Sequence, residues 1–316
     1  MISIVIPLYN KEHAVKETLK SVNLQTFTDY EVLIINDGST DGSLNVISDF
    51  ICSIESTEER KKWRIINKDN GGVCSARNVG IKESQGEYIA LLDGDDLWDR
   101  NYLQEQMRMV KDFPECGIWS INYAETRNGS IGYKVPTGLP DEFRGIVKDY
   151  FEMSGRVSDL CCSSSVLIRK EVFDKTGYFD ERLRYAEDDD MWWRIIAEYK
   201  FAFYDRYMVF YRLDAENRAL NTYRILSAFL ACYPEKYAKY QQINPVFYQY
   251  IQRWCAIWLA RYYFGTKKER QEARNAARRL DLSVISLKYT YMFLSPYPIG
   301  RLVWQLSNWK QKLKQR

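Results

Sequence analysis

The stretch Tyr88-Ile-Ala-Leu-Leu-Asp-Gly-Asp-Asp96 runs an apolar segment directly into three carboxylates within four positions. A short, continuous apolar run bounded by a turn signal reads as a strand buried on both faces. The runs at 2–6, 32–35 and 63–66 have the same character as this one at 88–92. Amphipathic stretches at about 11–25, 42–54, 74–84 and 99–112 separate or follow them. Strands alternating with helices predict βαβ units, and so an α/β fold with a mostly parallel sheet flanked by helices. Ligands in such sheets bind beyond the carboxyl ends of the strands. The notable polar residues stand there: Pro7-Leu-Tyr-Asn10, Asn36-Asp-Gly-Ser-Thr-Asp41, Asn70-Gly-Gly72 and Asp93-Gly-Asp-Asp96.

Composition narrows the chemistry. With 316 residues, 46% hydrophobic and 28% charged, the chain is globular rather than disordered or collagen-like. His13 is the only histidine, which excludes a histidine-rich zinc site and leaves acid–base and metal work to carboxylates. Seven cysteines without a Cys-x-x-Cys spacing argue against a disulfide framework and for a reducing compartment. The first apolar run is too short for a signal peptide, and no segment reaches the roughly 18 apolar residues needed to span a bilayer. A cytoplasmic location is expected. The net charge of +3 hides a strong asymmetry: residues 215–316 hold 18 Lys/Arg and 5 Asp/Glu, leaving 27 and 37 for residues 1–214. The front part is thus at −10 and the tail at +13, which suggests two functional surfaces.

Three carboxylates in Asp93-Gly94-Asp95-Asp96 repel one another unless a cation sits among them, and hard Mg²⁺ or Mn²⁺ shared with phosphates is the natural one. A solvated turn capping the next helix is the plainer alternative. Asp37 can accept from a ribose hydroxyl or a base NH, while Ser39, Thr40 or Asp41 caps the following helix. Gly71 and Gly72 lead into a helix bearing Arg77, an arrangement suited to a diphosphate. The motifs of P-loops and dinucleotide folds are absent. Glu187-Asp188-Asp189-Asp190 opens a helix, where acids favour the dipole; four in a row exceed that need, and one of them is the best candidate for a general base.

Taken together, these segments resemble the inverting family 2 glycosyltransferases with a GT-A fold, of the bacterial polysaccharide-biosynthesis type. The matching text includes Ser3-Ile-Val-Ile-Pro-Leu-Tyr-Asn10, Asn36-Asp-Gly-Ser-Thr-Asp41, Asn70-Gly-Gly-x-x-x-Ala-Arg-Asn-x-Gly80, Asp93-Gly-Asp-Asp96, Gly177-x-Phe-Asp-Glu181 and Ala186-Glu-Asp-x-Asp-Met-Trp-Trp-Arg194, in order over residues 1–214. The resemblance implies a nucleotide-sugar half at about 1–112 and an acceptor half at about 113–214. It places Pro7, Tyr9 and Asp37 on the uridine, Arg77 near the nucleotide, Asp93 on the ribose or sugar, and Asp95 on Mn²⁺ or Mg²⁺, with Asp93 beside it. Asp188 would be the base, with Glu187 adjacent. The implied activity is transfer of a hexosyl or N-acetylhexosaminyl group from a UDP-sugar to a glycan or lipid-linked acceptor. A sugar nucleotidyltransferase, or a non-catalytic nucleotide- or membrane-binding module, is the alternative. Many members carry a histidine where this chain has Asp214, so an oxygen ligand may stand in for an imidazole only if Asp214 reaches the metal.

Residues 215–316 read as a helical extension rich in basic and aromatic residues, with Phe247, Tyr250, Ile251, Trp254, Ile257 and Trp258 on one helical face. Packing helices with a solvated basic face is one reading. An anionic membrane surface on the inner face of the cell membrane is the other, with Tyr and Trp at headgroup depth. The acidic front half disfavours nucleic acid as a partner.

Overall fold

The computed structural model describes residues 1–133, 135–136, 138–148, 150–153, 160–183, 186–216 and 236–314. Two compact units, 1–224 and 225–316, make up the chain. In the first, β1 (Ile2–Leu8) is buried along its whole length. It is followed by α1 (Val15–Asn23), β2 (Tyr30–Asp37), α2 (Ser43–Ser53), α3 (Thr57–Lys61), β3 (Trp63–Lys68), α4 (Val73–Glu83) and β4 (Tyr88–Leu91). The strands lie in the order β3-β2-β1-β4, all parallel. Helix α1 forms because Val15, Thr18, Leu19 and Val22 make one buried stripe.

The second half of this unit continues with β5 (Leu97–Trp98), α5 (Tyr102–Asp112), β6 (Cys116–Arg127), β7 (Ser130–Tyr133), β8 (Arg144–Ile146), α6 (Tyr150–Met153), β9 (Val166–Arg169), α7 (Val172–Thr176), α8 (Glu187–Glu198) and β10 (Lys200–Arg212). Here the sheet is mixed: β9 is antiparallel to both β4 and β6, whereas β10 is parallel to β6. The wholly parallel order is confined to the first four strands. The stretch 113–160, which its glycines and prolines mark as irregular, contains the long strand β6. Asn128 and Gly129, both at positive φ (48° and 79°), form the two-residue turn that folds β7 back onto β6.

Both faces of the sheet are covered. Ile2, Ile4, Ile6 and Leu8 pack with Val15, Leu19, Ile47 and Leu103 on one side. Val5, Leu33 and Ile35 pack with Ala76, Ile81, Phe173 and Trp192 on the other. The two-residue period of the strands therefore sorts apolar residues into two cores, and each strand reads as continuously apolar.

The second unit contains α9 (Tyr240–Ile243), α10 (Pro245–Tyr263), α11 (Lys267–Ala277), α12 (Leu287–Leu294) and α13 (Tyr297–Lys314). The Asn244 side chain accepts from the Phe247 amide at the start of α10, and Thr266 and Glu269 form a capping box on α11. The buried face of α10 is Phe247, Ile251, Cys255, Leu259 and Tyr263, with Ala256 and Ala260 beside it. This corrects the face expected from the sequence: Ile257 is exposed, and Tyr250, Trp254 and Trp258 are half-buried. Small residues and the buried Gln252, which accepts from the Asp281 amide at 2.9 Å, turn the inward face away from the tryptophans. Helical character expected between 219 and 235 lies outside the described residues. No helix among the described residues is long and apolar enough to cross a membrane.

Candidate active site

The loops after β1 and β2 are stitched together. Asn10 takes a left-handed conformation (φ 49°), accepts from the Thr40 amide at 2.8 Å, and donates its own amide to Ser39 Oγ at 3.1 Å. Pro7 is buried in β1, and Tyr9 is exposed just past its end. Asp37 is buried at the end of β2, where its carboxylate accepts from the Gly71 and Gly72 amides at 2.9 and 2.8 Å and pairs with Lys68. Asp37 thus fixes the glycine loop that begins α4. Gly72, at φ 88°, is a conformation an L side chain rarely adopts.

Arg77 follows on α4 and is almost wholly buried. One of its terminal nitrogens lies 2.8 Å from Asp93 and the other 3.4 Å from Glu187. These two carboxylates raise the Arg77 pKa further, against the effect of burial. Beyond β4, Asp93 donates its amide to Ser164 Oγ at 3.0 Å. Asp95 pairs with Lys11 Nζ at 2.7 Å, and the same ammonium donates to the Glu216 carbonyl at 2.6 Å. Asp96 is fully buried; it accepts from Ser164 Oγ at 2.6 Å and from the Arg212 amide at 3.0 Å. Burial raises the Asp95 carboxyl, and burial with neighbouring Asp95 and Asp93 holds that of Asp96 well above the usual range.

Helix α8 supplies the remaining acids, and it sorts the four-acid run. Asp190 is buried and ion-paired with Arg194 at 2.9 Å, whose other terminal nitrogen donates to the Thr176 carbonyl. Its role is to seat the helix. Glu187 faces Arg77, and burial plus Asp188 push its carboxyl up to about 7. Asp188 accepts from the Asp189 amide at 2.9 Å, and burial also raises its carboxyl. The helix is entered through Ala186 in a left-handed conformation (φ 53°), a strained geometry for a residue with a Cβ. The exposed carboxylate of Asp214 accepts from the Asn128 amide at 2.7 Å, on the turn between β6 and β7.

Asp93, Asp95, Asp96, Glu187 and Asp188 form one electrostatic cluster around Lys11 and Arg77. Burial first, and repulsion among the acids after it, raises the carboxyls of Asp95, Asp96, Glu187 and Asp188, and a divalent cation among them would favour their ionised forms. Among the described residues no three ligating side chains gather round a point, so Asp95 and Asp93 would supply only part of a shell completed by phosphate and water oxygens. The donor set fits Mg²⁺ or Mn²⁺ in that shared role. Sequence reasoning did not single out Lys11, Lys68 or Ser164. Lys68 is the cross-strand partner of Asp37 in the β2–β3 register, a signal available only once the register is known.

A doubly covered sheet that is parallel in its first half and mixed in its second, with an acid–arginine cluster on the strands' carboxyl ends, defines a GT-A type sugar transferase. The sequence profile of glycosyl transferase family 2 matches residues 3–177, more than half of the chain. The chain belongs to glycosyltransferase family 2. It is 28% identical to an uncharacterized glycosyltransferase of Rickettsia typhi over 77% of this chain and 74% of that protein. It is 30% identical to the uncharacterized glycosyltransferase EpsJ of Bacillus subtilis over 60% and 54% of the two chains. Against a Rickettsia felis glycosyltransferase the matched part spans only 35% of the relative. Among solved structures, S. aureus TarS 1–349 in complex with UDP-GlcNAc superposes with a TM-score of 0.71 at 17% identity, covering 92% of this chain and 86% of that one. That likeness establishes the shared fold.

Proposed function

We propose that the chain moves a sugar from a nucleotide-sugar, a UDP-sugar by preference, to an acceptor hydroxyl with inversion. The observation that carries this reading is the Arg77 bridge, which ties Asp93 beyond β4 to Glu187 on α8 and so joins a diphosphate-type site to a candidate base. Pro7, Tyr9 and Asp37 form the donor side, with the exposed Tyr9 ring stacking on the base. The complex of the TarS neighbour with UDP-GlcNAc supports this donor class. Asp188 accepts the proton of the acceptor hydroxyl as its oxygen attacks the anomeric carbon, and the bond to the diphosphate breaks on the opposite face. A divalent cation held by Asp95 and Asp93 would supply charge stabilisation to the departing diphosphate. No covalent sugar–enzyme intermediate is involved.

The acceptor proposed is a surface-polysaccharide precursor on a lipid carrier, reached by residues 215–316 at an anionic membrane surface. A screen of nucleotide-sugars with Mn²⁺, scored by release of nucleoside diphosphate, tests the assignment. Asp188→Asn should lower transfer by about 10²–10⁴-fold and leave UDP binding intact. Turnover at the wild-type rate in that variant would overturn it, and release of pyrophosphate from a nucleoside triphosphate mixed with a sugar 1-phosphate would instead indicate a nucleotidyltransferase.

A further inference from the structure

Helices α12 and α13 form a hairpin in the second unit, joined at Ser295 and Pro296. Its inner contacts are aromatic: the Tyr289 and Trp304 rings lie 5.8 Å apart, Lys288 Nζ sits over both, and Phe293 meets Tyr263 edge-on at 5.9 Å. Tyr289, Met292 and Phe293 are thereby buried. A helix whose inner face is satisfied this way ordinarily turns polar residues outward. These two do not. Leu287, Tyr291 and Leu294 recur at i, i+4 and i+7 on α12, and Ile299, Leu302 and Leu306 at i, i+3 and i+7 on α13, all between 51 and 69% exposed. Each helix therefore carries a second apolar ridge, in addition to the one that builds its core.

The charge of the sequence that carries these ridges selects what covers them. Residues 282–316 contain six Lys/Arg and no Asp or Glu. A second copy of the chain docking through the same segment would bring two basic stretches together with no acid in either to pair them. An anionic lipid surface meets both features: acyl chains and interfacial carbonyls accept the aliphatic ridges, and headgroup phosphates accept the lysines and arginines. We infer that the α12–α13 hairpin is an interfacial anchor, inserting its outward aliphatic ridges into an anionic bilayer without crossing it. This rests on the membrane reading of residues 215–316, and it moves the contact from the half-buried Trp254, Trp258 and Trp304 to the exposed aliphatic side chains.

The test is co-sedimentation of the full chain with vesicles of phosphatidylcholine alone or with about 30% phosphatidylglycerol. The wild type should bind the anionic vesicles and weaken as salt is raised to about 0.5 M. The triple variant Leu294→Ser/Leu302→Ser/Leu306→Ser should bind at least roughly tenfold more weakly, while keeping the wild-type circular dichroism spectrum and rate of donor hydrolysis in solution. Ile131→Ser, a nearly as exposed aliphatic on β7 in the first unit, should bind as the wild type does. Arg301→Glu, at an exposed position on α13, should weaken binding to anionic vesicles without unfolding the hairpin. Undiminished binding by the triple variant overturns the ridge assignment and leaves the broader membrane reading standing. Failure of the wild type to bind anionic vesicles overturns both. A lipid-free dimer that the triple variant dissociates would show that a second copy covers the ridges, and it too would overturn the inference. Donor hydrolysis, read separately, tests the transferase assignment independently of all three.

Discussion

Arg77 reaches Glu187 at 3.4 Å across 110 residues of chain, linking the helix after the glycine loop to the helix that carries the candidate base. The same guanidinium holds Asp93 at 2.8 Å, so one buried cation positions both sides of the site. Removing it leaves two carboxylates facing each other in a poorly solvated pocket. Breaking a buried ion pair from one side costs about 3–5 kcal/mol; because Asp93 and Glu187 are partly solvent-accessible, Arg77→Met should fall toward the lower end. Lysine cannot span two carboxylates as the planar fork does. Arg77→Lys should therefore also lose most transfer activity, measured alongside stability by denaturant unfolding. Full activity in the lysine variant would show that the bridge is incidental.

Glu187 gives the site a pH dependence of definite sign. Its carboxyl rises from 4.5 to about 7, through burial first and the neighbouring Asp188 second. As pH climbs, the unfolded chain gives up this proton before the folded protein does. Stability linked to Glu187 is thus fully present below about 4.5 and is lost as pH rises through about 7. At about 1.4 kcal/mol per unit, the loss is on the order of 3 kcal/mol. Glu187→Gln should gain stability relative to the wild type between these limits, as read by guanidinium unfolding at each pH. Transfer by the wild type should rise over the same interval, because the base pair works ionised. A stability difference that stays flat with pH would refute the shift.

Much of this site was legible because β1, β2 and β4 are buried along their whole length, so their apolar runs end abruptly where the sheet ends. Asp37 closes β2, and Asp93 and Asp95 come just after β4, so position alone marks them; Arg77 lies within α4 and is marked instead by the glycine loop before that helix. Lys11 and Ser164 were not legible. Lys11 reads as the first residue of an amphipathic helix, and its contact with Asp95 depends on the turn that starts only at the left-handed Asn10. Ser164 lies 71 residues from Asp93, in a single 3₁₀ turn before β9, and only the antiparallel pairing of β9 with β4 brings it there. The face of α10 was misjudged for a related reason. Tryptophan outweighs alanine in any hydrophobic count, yet the close approach of helices selects Ala256 and Ala260 for the interior.

Ser164 holds the acidic turn from behind. Its hydroxyl donates to Asp96 at 2.6 Å while accepting from the Asp93 amide at 3.0 Å, and all of this is buried or nearly so. Ser164→Ala leaves a buried amide without its acceptor and a buried carboxyl without one of its donors, a loss of about 1–3 kcal/mol. Asp96→Asn replaces one of two accepting oxygens with an NH2 that faces a donor, either the Ser164 hydroxyl or the Arg212 amide, so it should be at least as severe. Thermal unfolding of the two variants checks the order. A milder loss in Asp96→Asn would mean that the Ser164 hydroxyl turns to accept from the new amide.

Gly80 decides how closely α4 can lie on the sheet. It sits mid-helix, where alanine is better than glycine by about 1 kcal/mol on propensity alone. A Cβ there would overlap Val5 Cγ1 and stand 3.2 Å from Ile35 Cγ1, and both neighbours are fully buried. Overpacking of this kind costs about 1–3 kcal/mol, so Gly80→Ala should be destabilising despite the better helix former. The pressure falls on the helix that carries Arg77 one turn earlier, and transfer should fall with stability. Val5→Ala opens a cavity in the same place and is destabilising by itself, by about 2–4 kcal/mol. Combined, the two changes should offset each other, because the new methyl fills part of the space that valine vacates. A double-mutant cycle by denaturant unfolding measures this directly. Strictly additive losses would mean that α4 shifts away from β1 as a body, and that the close approach at Gly80 is not what sets the position of Arg77.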